Sequence, residues 1–438
     1  MNLLGLDVGS SSVKAAILRD GVVRGKIVRR VFQTRLQGVR VEVDTRSLLK
    51  AVADSISDLG RLAQAVDVIG LSVMSPAWVA MDKTGYPLTP MITHQDRRSV
   101  EVAIELERRI GRKRYLELSG NRPVPGGISV TTWLWYQRHQ PQALRGADLI
   151  GHLNTFLHRQ LTGARLIDPS NASFTGLYST VSQAGWNPEL CEAAAVSPRL
   201  LPEVMEADRI GGGITHAAAS RYGLTQGTPV VAGIVDTSSA MLAGGAAIGQ
   251  LTNNCGSTDV LGLCTDHAIP HERLLTRALG VGRKWMSVAT IAAAGSSLVW
   301  MREQFFRDLP DVKFWKLATE LAHAQAERGV GVPQVQFDPY LAGERTSVEQ
   351  RQASFSGLTL ATTRQDMLDA VIDALAKASA ARLELFRELG IPMRRRVLLT
   401  GGAQSGLAEL FHRDWKGRWT FQVEGEATLR GLAKLEPK

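Results

Sequence analysis

The chain has 438 residues, of which 44% are hydrophobic and 21% are charged, and its formal net charge is +9. This length exceeds one ordinary core, which predicts two domains, 1–245 and 246–438, and no apolar run reaches the roughly 18–20 residues that cross a membrane. The positive charge predicts an anionic partner, which either nucleic acid or a nucleotide substrate would satisfy, but no zinc-finger spacing, RNP-type aromatic strand or basic helix indicates nucleic acid.

Residues 3–15 predict a strand, a tight turn and a second strand, with Asp7 near the end of the first strand. The amide and hydroxyl groups of the turn suit phosphate oxygens, and the turn contains Gly9, Ser10, Ser11 and Ser12. Asp7 is placed to hold Mg²⁺ through water, because Mg²⁺ gives up its hydration shell reluctantly. A plain β-hairpin with a hydroxyl-rich turn explains this stretch equally well on its own.

A third strand at 22–29 and an amphipathic helix at 45–59 follow. Either Asp44 or Thr45 caps the helix. Three strands followed by a helix are the opening of a ribonuclease-H-like unit, so the N-terminal domain is predicted to have this fold.

An interruption that contains Met74 and Ser75 separates two strand-like pieces within 66–81. Such a break forms either a pocket wall or a simple bulge. Polar residues then cluster at 91–98, and a site built for hydroxyl groups discriminates strongly against analogues that lack them. The alternative for this cluster is a helix start with Asp96 near the positive end of the helix dipole.

A turn-rich stretch at 168–180 predicts a loop that lines a cleft or connects helices. Further on, a buried strand at 229–235 runs through Gly233 into Asp236, and small residues open a helix after it. An acid in this position is either a satisfied helix cap or a general base.

Residues 249–264 repeat the strand, turn and strand of the N-terminus, which suggests an internal duplication with a second phosphate-binding turn. This turn comprises Gly256, Ser257 and Thr258. A buried strand within 397–404 then leads into a segment where the backbone can approach a flat ligand, Gly401, Gly402 and Ala403.

In this order, the segments resemble the FGGY carbohydrate kinases of the ASKHA superfamily over nearly the full length of the chain. The most specific match is the stretch 339–346, PYLAGERT, followed by 357–359, GLT. The other matching segments resemble the two phosphate loops, the catalytic aspartate motif, two adenosine-side segments and the closing helix, and they are 7–12, 256–258, 233–236, 294–297, 401–405 and 426–431.

The resemblance implies an α/β fold with two ribonuclease-H-like, actin-like ATPase domains that flank a central cleft. It implies transfer of the γ-phosphoryl group of ATP to a sugar hydroxyl, with the two turns on the ATP phosphates, Mg²⁺ near Asp7 and Asp236 as the catalytic base. The N-terminal domain would bind the sugar through Met74, Ser75, Asp96 and Asp236. The C-terminal domain would bind the adenosine through Gly295, Gly401, Gly402, Ala403 and Ser405.

The segment around Met74 and Ser75 resembles the pentulose-kinase side of the family, which favours a ketopentose such as D-ribulose or D-xylulose as the substrate. A hexulose, a deoxysugar or a sugar alcohol is an alternative, as is a catalytically silent sugar-binding or regulatory protein with the kinase fold. An actin- or Hsp70-like ATPase shares the superfamily fold but gains no support from 339–346.

Two residues depart from the pattern of the family. His94 stands where many members have an aromatic residue, which bears on the sugar platform. Asp259 places a negative charge directly after the second phosphate turn, and the sequence offers no physical account of it.

The remaining expectations concern the state of the protein in the cell. The start of the sequence lacks a basic leader segment, which predicts a cytoplasmic protein without a membrane partner. Three cysteines without metal-ligand spacing predict free thiols. We expect a monomer or a homodimer.

Overall fold

The computed structural model describes residues 1–328, 334–349, 351–401, 406–435 and 437. The strands are β1 (Asn2–Val8), β2 (Ser12–Arg19), β3 (Val22–Val31), β4 (Thr34–Gln37), β5 (Arg40–Val43), β6 (Val68–Val73), β7 (Ala77–Met81), β8 (Met91–Thr93), β9 (Leu149–His152), β10 (Leu166–Ile167), β11 (Glu203–Val204), β12 (Ile210–Gly213), β13 (Pro229–Val231), β14 (Ile234–Val235), β15 (Leu251–Cys255), β16 (Asp259–Thr265), β17 (Leu275–Ala278), β18 (Trp285–Ile291), β19 (Gln336–Asp338), β20 (Ser354–Ser356), β21 (Arg396–Gly401) and β22 (Thr420–Val423). The helices are α1 (Thr45–Ser57), α2 (Val100–Ile110), α3 (Arg112–Ser119), α4 (Val130–His139), α5 (Leu153–Leu161), α6 (Pro169–Ala172), α7 (Pro188–Ala193), α8 (His216–Tyr222), α9 (Asp236–Ala243), α10 (Gly295–Phe305), α11 (Asp311–Arg328), α12 (Arg364–Glu388), α13 (Leu407–His412) and α14 (Ala427–Leu432).

The chain forms two compact units, and each contains a β-sheet. The first unit comprises Met1–Ala247, Cys264–Ser287 and the chain from Ala427 onward, and the second comprises Ile248–Leu263 and Val288–Glu426. The predicted α/β class with two sheet-containing domains is thereby confirmed. The predicted division of function between 1–245 and 246–438 stays a prediction, and two later segments of the chain pack with the first unit.

The main sheet of the first unit has the strand order β12-β13-β6-β1-β2-β3, and β14 also pairs with β6. β1 runs parallel to β6 with Asp7 opposite Ser72, and β14 runs parallel to β6 with Val235 opposite Val73. The carboxyl ends of these three strands therefore meet at one edge, which is where ligands bind in open α/β sheets. Asp7 and Asp236 both lie at this edge.

Helix α1 packs on this sheet because its apolar side chains recur at helical spacing. Asp44 caps the helix by accepting hydrogen bonds from the N–H groups of Arg46 (2.8 Å) and Ser47 (3.1 Å). Five apolar side chains of α1 share one buried cluster with residues of β1, β2 and β6, and they are Leu48, Leu49, Ala51, Val52 and Ile56. The predicted third strand, helix and cap are thus confirmed.

A second sheet in the first unit has the order β4-β5-β8-β7-β9. The interruption at Met74–Pro76 is the point where the chain leaves β6 in the main sheet and enters β7 in the second sheet. The alternative of a simple bulge is therefore wrong, because a bulge would leave both strands in one sheet.

The sheet of the second unit has the strand order β18-β16-β15-β21-β22. β15 pairs antiparallel with β16 and parallel with β21. β1 makes the same pair of contacts with β2 and β6 in the first unit, which agrees with the predicted internal duplication. No helix in the part of the chain that the structure describes is long and apolar enough to cross a membrane.

Candidate active site

Asp7 lies buried near the carboxyl end of β1, with 7% of its surface exposed. Its Oδ1 accepts a hydrogen bond from Ser72 Oγ (2.9 Å), and its Oδ2 accepts one from Thr428 Oγ1 (2.7 Å). Burial raises the pKa of Asp7 to about 6, and the negative charge of Asp236 adds to the increase. The hydrogen bond from Thr428 opposes this increase. A bound cation would stabilise the ionised carboxylate against its burial and against repulsion from Asp236. The site therefore fits Mg²⁺, which binds one or two protein carboxylates together with substrate phosphates.

Gly233 makes the bend that brings Asp236 to the same edge of the sheet. Its φ angle of 85° lies in the left-handed region, and a Cβ there would lie 2.9 Å from the carbonyl oxygen of Leu71. Asp236 follows β14 directly and begins α9, where its Oδ1 accepts a hydrogen bond from the N–H of Thr237 (2.6 Å). The positive end of the α9 dipole favours the ionised carboxylate that a general base requires.

Helices α9 and α14 pack closely because a glycine lies at their contact. A Cβ at Gly431 would overlap the carbonyl oxygen of Ser239, and Ser239 Oγ donates a hydrogen bond to the carbonyl oxygen of Thr428 (2.6 Å). This packing holds Thr428 where its hydroxyl reaches Asp7. The predicted closing helix is confirmed as α14, and it contributes a side chain to the site.

Arg277 on β17 is a buried cation near Asp236 that the sequence analysis missed. It is 2% exposed, and its Nη2 donates a hydrogen bond to Thr237 Oγ1 (2.6 Å). Burial lowers the pKa of Arg277 to about 10, and attraction to Asp236 and Asp168 opposes this decrease. A single arginine among the residues of a short strand belongs to no motif, so the sequence contains no signal for it.

Asp168 is a second buried carboxylate that the sequence analysis missed, and it lies in the turn-rich stretch. It caps α6 and accepts hydrogen bonds from the N–H of Ser170 (2.8 Å) and from the side-chain amides of Asn171 (2.6 Å) and Asn154 (2.9 Å). Ser170 Oγ in turn accepts a hydrogen bond from the N–H of Val235 (3.0 Å), the residue before the candidate base. An acid followed by proline is a helix-start signal that would have identified this cap.

The turn between β1 and β2 exposes two of the three predicted phosphate-binding serines. The N–H of Gly9 donates to the carbonyl oxygen of Ser12 (3.0 Å), which closes the turn, and Ser10 and Ser11 are exposed. Ser12 is buried at the start of β2, where its hydroxyl accepts a hydrogen bond from Arg29 Nε (3.1 Å). The phosphate contacts of this turn stay predictions.

The second predicted phosphate turn lies against the start of α10 in the second unit. The N–H of Gly256 donates to the carbonyl oxygen of Thr258 (2.9 Å). The carbonyl oxygens of Ser257 and Gly256 accept hydrogen bonds from the N–H groups of Ala294 (2.9 Å) and Gly295 (3.1 Å) respectively. The structure therefore brings the predicted phosphate turn and the predicted adenosine residue Gly295 together.

Asp259 is accounted for by an ion pair inside the second unit. It begins β16, is fully buried and accepts a hydrogen bond from Arg382 of α12 at its Oδ2. Its Oδ1 accepts a hydrogen bond from Asn253 Nδ2 (2.5 Å). The guanidinium neutralises the negative charge that the sequence left unexplained after the phosphate turn.

Gly401 ends β21 opposite Cys255, with a φ angle of 74°. A Cβ at this position would overlap the side-chain oxygen of Asn254, so the close pairing of β21 with β15 requires glycine here. The other predicted adenosine contacts on this segment lie outside the described residues, and they are Gly402, Ala403 and Ser405. All adenosine contacts stay predictions.

Ser75 is held by a buried histidine that the sequence analysis also missed. Its Oγ lies 3.3 Å from Nδ1 of His152, and Nε2 of His152 lies 2.8 Å from Ser129 Oγ. Burial lowers the pKa of His152 to about 3, so the imidazole is neutral near physiological pH. Met74 beside it is buried, and its N–H donates to the carbonyl oxygen of Val8 (2.8 Å).

Asp96 is 2% exposed, and its carboxylate already has protein partners. Arg98 donates from Nε to Oδ1 (2.9 Å) and from Nη2 to Oδ2 (2.7 Å), and the N–H of Val41 also donates to Oδ2 (2.8 Å). Arg98 Nη2 pairs with Glu42 as well (2.6 Å). This buried network fixes the loop that carries Asp96, and a direct contact between Asp96 and a sugar stays a prediction.

Family models and relatives of known activity both match most of the chain. The family models described as "FGGY family of carbohydrate kinases", N-terminal and C-terminal domains, match residues 2–243 and 251–407. A xylulose kinase of Escherichia coli K12 is 26% identical over 92% of this chain and 82% of its own length, and an L-fuculokinase of the same organism is 25% identical over 91% and 84%. The crystal structure of xylulose kinase from Rhodospirillum rubrum covers 99% of this chain and 88% of its own, with a TM-score of 0.85 at 22% identity, which shows the same fold.

Proposed function

Because the chain belongs to the FGGY family of carbohydrate kinases, we propose that it transfers the γ-phosphoryl group of ATP to a hydroxyl of a ketopentose such as D-ribulose or D-xylulose. Its class, an ATP-dependent sugar kinase, follows from the family. The mechanism rests on the placement of Asp7 and Asp236 at the carboxyl ends of β1 and β14, which both pair with β6. On sequence grounds, we place the protein in the cytoplasm as a monomer or homodimer, without nucleic-acid or membrane partners.

Asp236 acts as the general base in this proposal. It takes the proton of the attacking sugar hydroxyl while the oxygen of that hydroxyl forms its bond to the γ-phosphorus. The bond from this phosphorus to the β–γ bridging oxygen breaks, and ADP leaves. The N-terminus of α9 and the buried cation of Arg277 both favour the ionised carboxylate that this step needs.

Asp7 is the residue that would hold Mg²⁺, directly or through water. The hydroxyls of Ser72 and Thr428 orient its carboxylate. When bound, Mg²⁺ would neutralise charge on the phosphates of ATP. The fit rests on the buried, charge-crowded carboxylate, whose pKa burial raises to about 6.

The two glycine- and hydroxyl-containing turns bind the phosphates of ATP in this proposal. In the first unit, Ser10 and Ser11 are exposed and offer amide and hydroxyl donors. In the second unit, the turn 256–258 also combines a glycine with hydroxyl side chains and lies against Gly295. Gly295 and Gly401 are assigned to the adenosine side.

The sugar hydroxyls contact Ser75 in this proposal, and His152 fixes the direction of its hydroxyl. A neutral imidazole donates through one ring nitrogen and accepts through the other, so Ser75 and Ser129 take opposite roles toward His152. A site with fixed hydroxyl partners discriminates against sugars that lack the matching hydroxyl. The similarity to an L-fuculokinase makes a deoxyhexulose the second candidate substrate.

The decisive experiment measures ADP release in a coupled spectrophotometric assay with Mg-ATP and a panel of ketoses, aldoses and polyols. We expect a ketopentose to stimulate the wild type, and Asp236→Asn to lower kcat by about 10²–10⁴-fold, the range that general base catalysis contributes. Asp20→Asn is the matched control, since it removes the same charge from a side chain that is 75% exposed.

Each other outcome identifies the part of the proposal that is wrong. Turnover of a deoxyhexulose but of no ketopentose would keep the kinase and change the substrate. If Asp236→Asn retains full activity, Asp236 is not the base. If no sugar stimulates the wild type but calorimetry detects a bound sugar, the silent sugar-binding protein is correct.

A further inference from the structure

A basic cavity in the second unit lies outside the residues assigned to the kinase reaction. Its volume is about 340 Å³, and it is lined by Arg387, Met393, Arg395, Lys416, Gly417 and Trp419. We propose that this cavity binds the phosphate group of a small phosphate monoester. The proposal concerns a second ligand and goes beyond the phosphoryl transfer described above.

The wall of the cavity is a fixed turn. The carbonyl oxygen of Lys416 accepts hydrogen bonds from Trp419 Nε1 (3.0 Å) and from Arg387 Nη2 (2.5 Å). The guanidinium carbons of Arg387 and Arg395 lie 5.9 Å and 5.5 Å from the centre of the Trp419 ring. Gly417 has a φ angle of 95°, and a Cβ there would come within 2.8 Å of Arg395 Nη1. The absence of a side chain at Gly417 therefore leaves room for the guanidinium.

Two of the three cations lack a carboxylate partner within the described ranges. Arg387 pairs with Glu384 (2.6 Å) and lies in the last turn of α12, where a positive charge complements the helix dipole, so a structural role explains it. The side chain of Arg395 contacts the Trp419 ring, and Lys416 is exposed at the cavity. Neighbouring like charges repel each other, and an anion between them would remove this repulsion.

The topology separates this cavity from the segments assigned to ATP. Arg395 directly precedes β21 and Trp419 directly precedes β22, and the two strands run parallel with Arg396 opposite Thr420. The cavity therefore lies at the amino ends of these strands. Gly401, on the adenosine side, ends β21 at the opposite edge, roughly 17 Å away at about 3.3 Å per residue.

The chemistry of the lining favours a phosphate ester. A guanidinium offers a fork of N–H donors that matches phosphate oxygens, and a lysine ammonium adds a compact charge. Met393 and Trp419 supply apolar surface for a short carbon skeleton. The volume lies at the lower end of the range of small-molecule sites, roughly 300–1,000 Å³. Free inorganic phosphate shares the charge chemistry but has no carbon skeleton.

The test titrates the full-length protein with glycerol phosphate and, separately, with inorganic phosphate by isothermal titration calorimetry, in the presence of saturating Mg-ADP. We expect Arg395→Gln and Lys416→Gln each to raise the Kd of glycerol phosphate by about tenfold or more, equivalent to about 1.4 kcal/mol. Arg418→Gln is the matched control, because it removes the same charge from the same turn at a residue outside the lining. This control is expected to bind like the wild type.

Three results would overturn the proposal. One is no saturable binding of glycerol phosphate by the wild type up to about 10 mM, a Kd that corresponds to less than about 3 kcal/mol of binding free energy. Another is equal affinity in the wild type and in both lining variants, which would place the bound ester elsewhere, including at the kinase site. The last is equal affinity for both probes, which would exclude recognition of the ester. Tighter binding of glycerol phosphate supports the proposal.

Discussion

Asp7 shows the conflict between burial and charge at a single residue. The proposed Mg²⁺ site requires its carboxylate to be ionised at neutral pH, but burial raises its pKa from an ordinary value of 3.8 to about 6. Between pH about 4 and 6, the folded protein therefore holds a proton that the unfolded chain has released. The free energy of unfolding falls as the pH rises through this window, so the ionised Asp7 destabilises the protein at neutral pH.

Asp7→Asn is expected to abolish kinase activity and to raise the free energy of unfolding near neutral pH by on the order of 1–3 kcal/mol. Asparagine has the volume of aspartate and can hydrogen-bond to the hydroxyls of both Ser72 and Thr428 without a charge. Urea denaturation without Mg²⁺, at neutral pH and at pH about 4, measures this. The gain is expected to vanish at the lower pH, because Asp7 is then protonated in the wild type.

The control for this prediction is Asp20→Asn, which removes a charge that is 75% exposed. Substitutions of this kind change the free energy of unfolding by about 0.5 kcal/mol or less. An Asp7→Asn variant that is less stable than the wild type at both pH values would contradict the account. It would mean that the carboxylate contributes more through its two hydrogen bonds than its burial costs.

At the scale of elements, the sequence predicts what is local. The hairpin β1–β2, the strand β3 and the capped helix α1 follow from periodicity and cap residues that lie within a few positions of one another. The apolar spacing within 130–161 is mostly helical, yet this stretch also contains the buried strand β9 (Leu149–His152), which the sequence analysis did not predict. A short apolar run fits a buried strand and a buried helix equally well, so periodicity alone does not separate them.

The ion pair between β16 and α12 could not be predicted from the sequence either, because Asp259 and Arg382 are 123 residues apart. Arg382→Met is expected to lower the free energy of unfolding by about 3–5 kcal/mol, because it leaves the fully buried carboxylate of Asp259 without its cation. Urea denaturation measures the loss. Asp259→Asn combined with Arg382→Met is expected to recover part of it, because no unpaired charge then remains buried.

Arg364→Met on the same helix is the matched control for Arg382→Met. Its partner, Asp308, lies at 2.6 Å, but both side chains are about half exposed. Solvent screens such a pair, so the expected change is less than about 1 kcal/mol. If both variants lose the same stability, the loss comes from shortening α12 side chains in general, and the buried ion pair has no special role.

At the scale of the whole molecule, the candidate site joins residues from both ends of the chain. Thr428 reaches Asp7 across 421 residues of sequence, through a helix that returns to the first unit. The motifs predicted which strand ends carry chemistry, because a strand, a glycine and an acid are adjacent in sequence. They did not predict Arg277 or His152, whose roles depend only on where the fold buries them. Asp168 was missed as well, although the proline after it is a local signal for the helix cap that it forms.

Binding of Mg-ADP to the full-length protein tests whether Asp7 holds Mg²⁺ as proposed. Binding to the folded state alone adds RT ln(1 + [L]/Kd), which is about 2.7 kcal/mol at 100-fold excess over Kd. Mg-ADP is therefore expected to raise the Tm by several degrees, and EDTA is expected to remove the part of the shift that Mg²⁺ adds to ADP alone.

Asp7→Asn should keep the shift produced by ADP and lose this Mg²⁺-dependent increment. Each shift is taken relative to the unliganded form of the same variant, because the substitution itself is expected to change stability. An undiminished increment in Asp7→Asn, with Asp20→Asn behaving like the wild type, would assign the metal to other ligands.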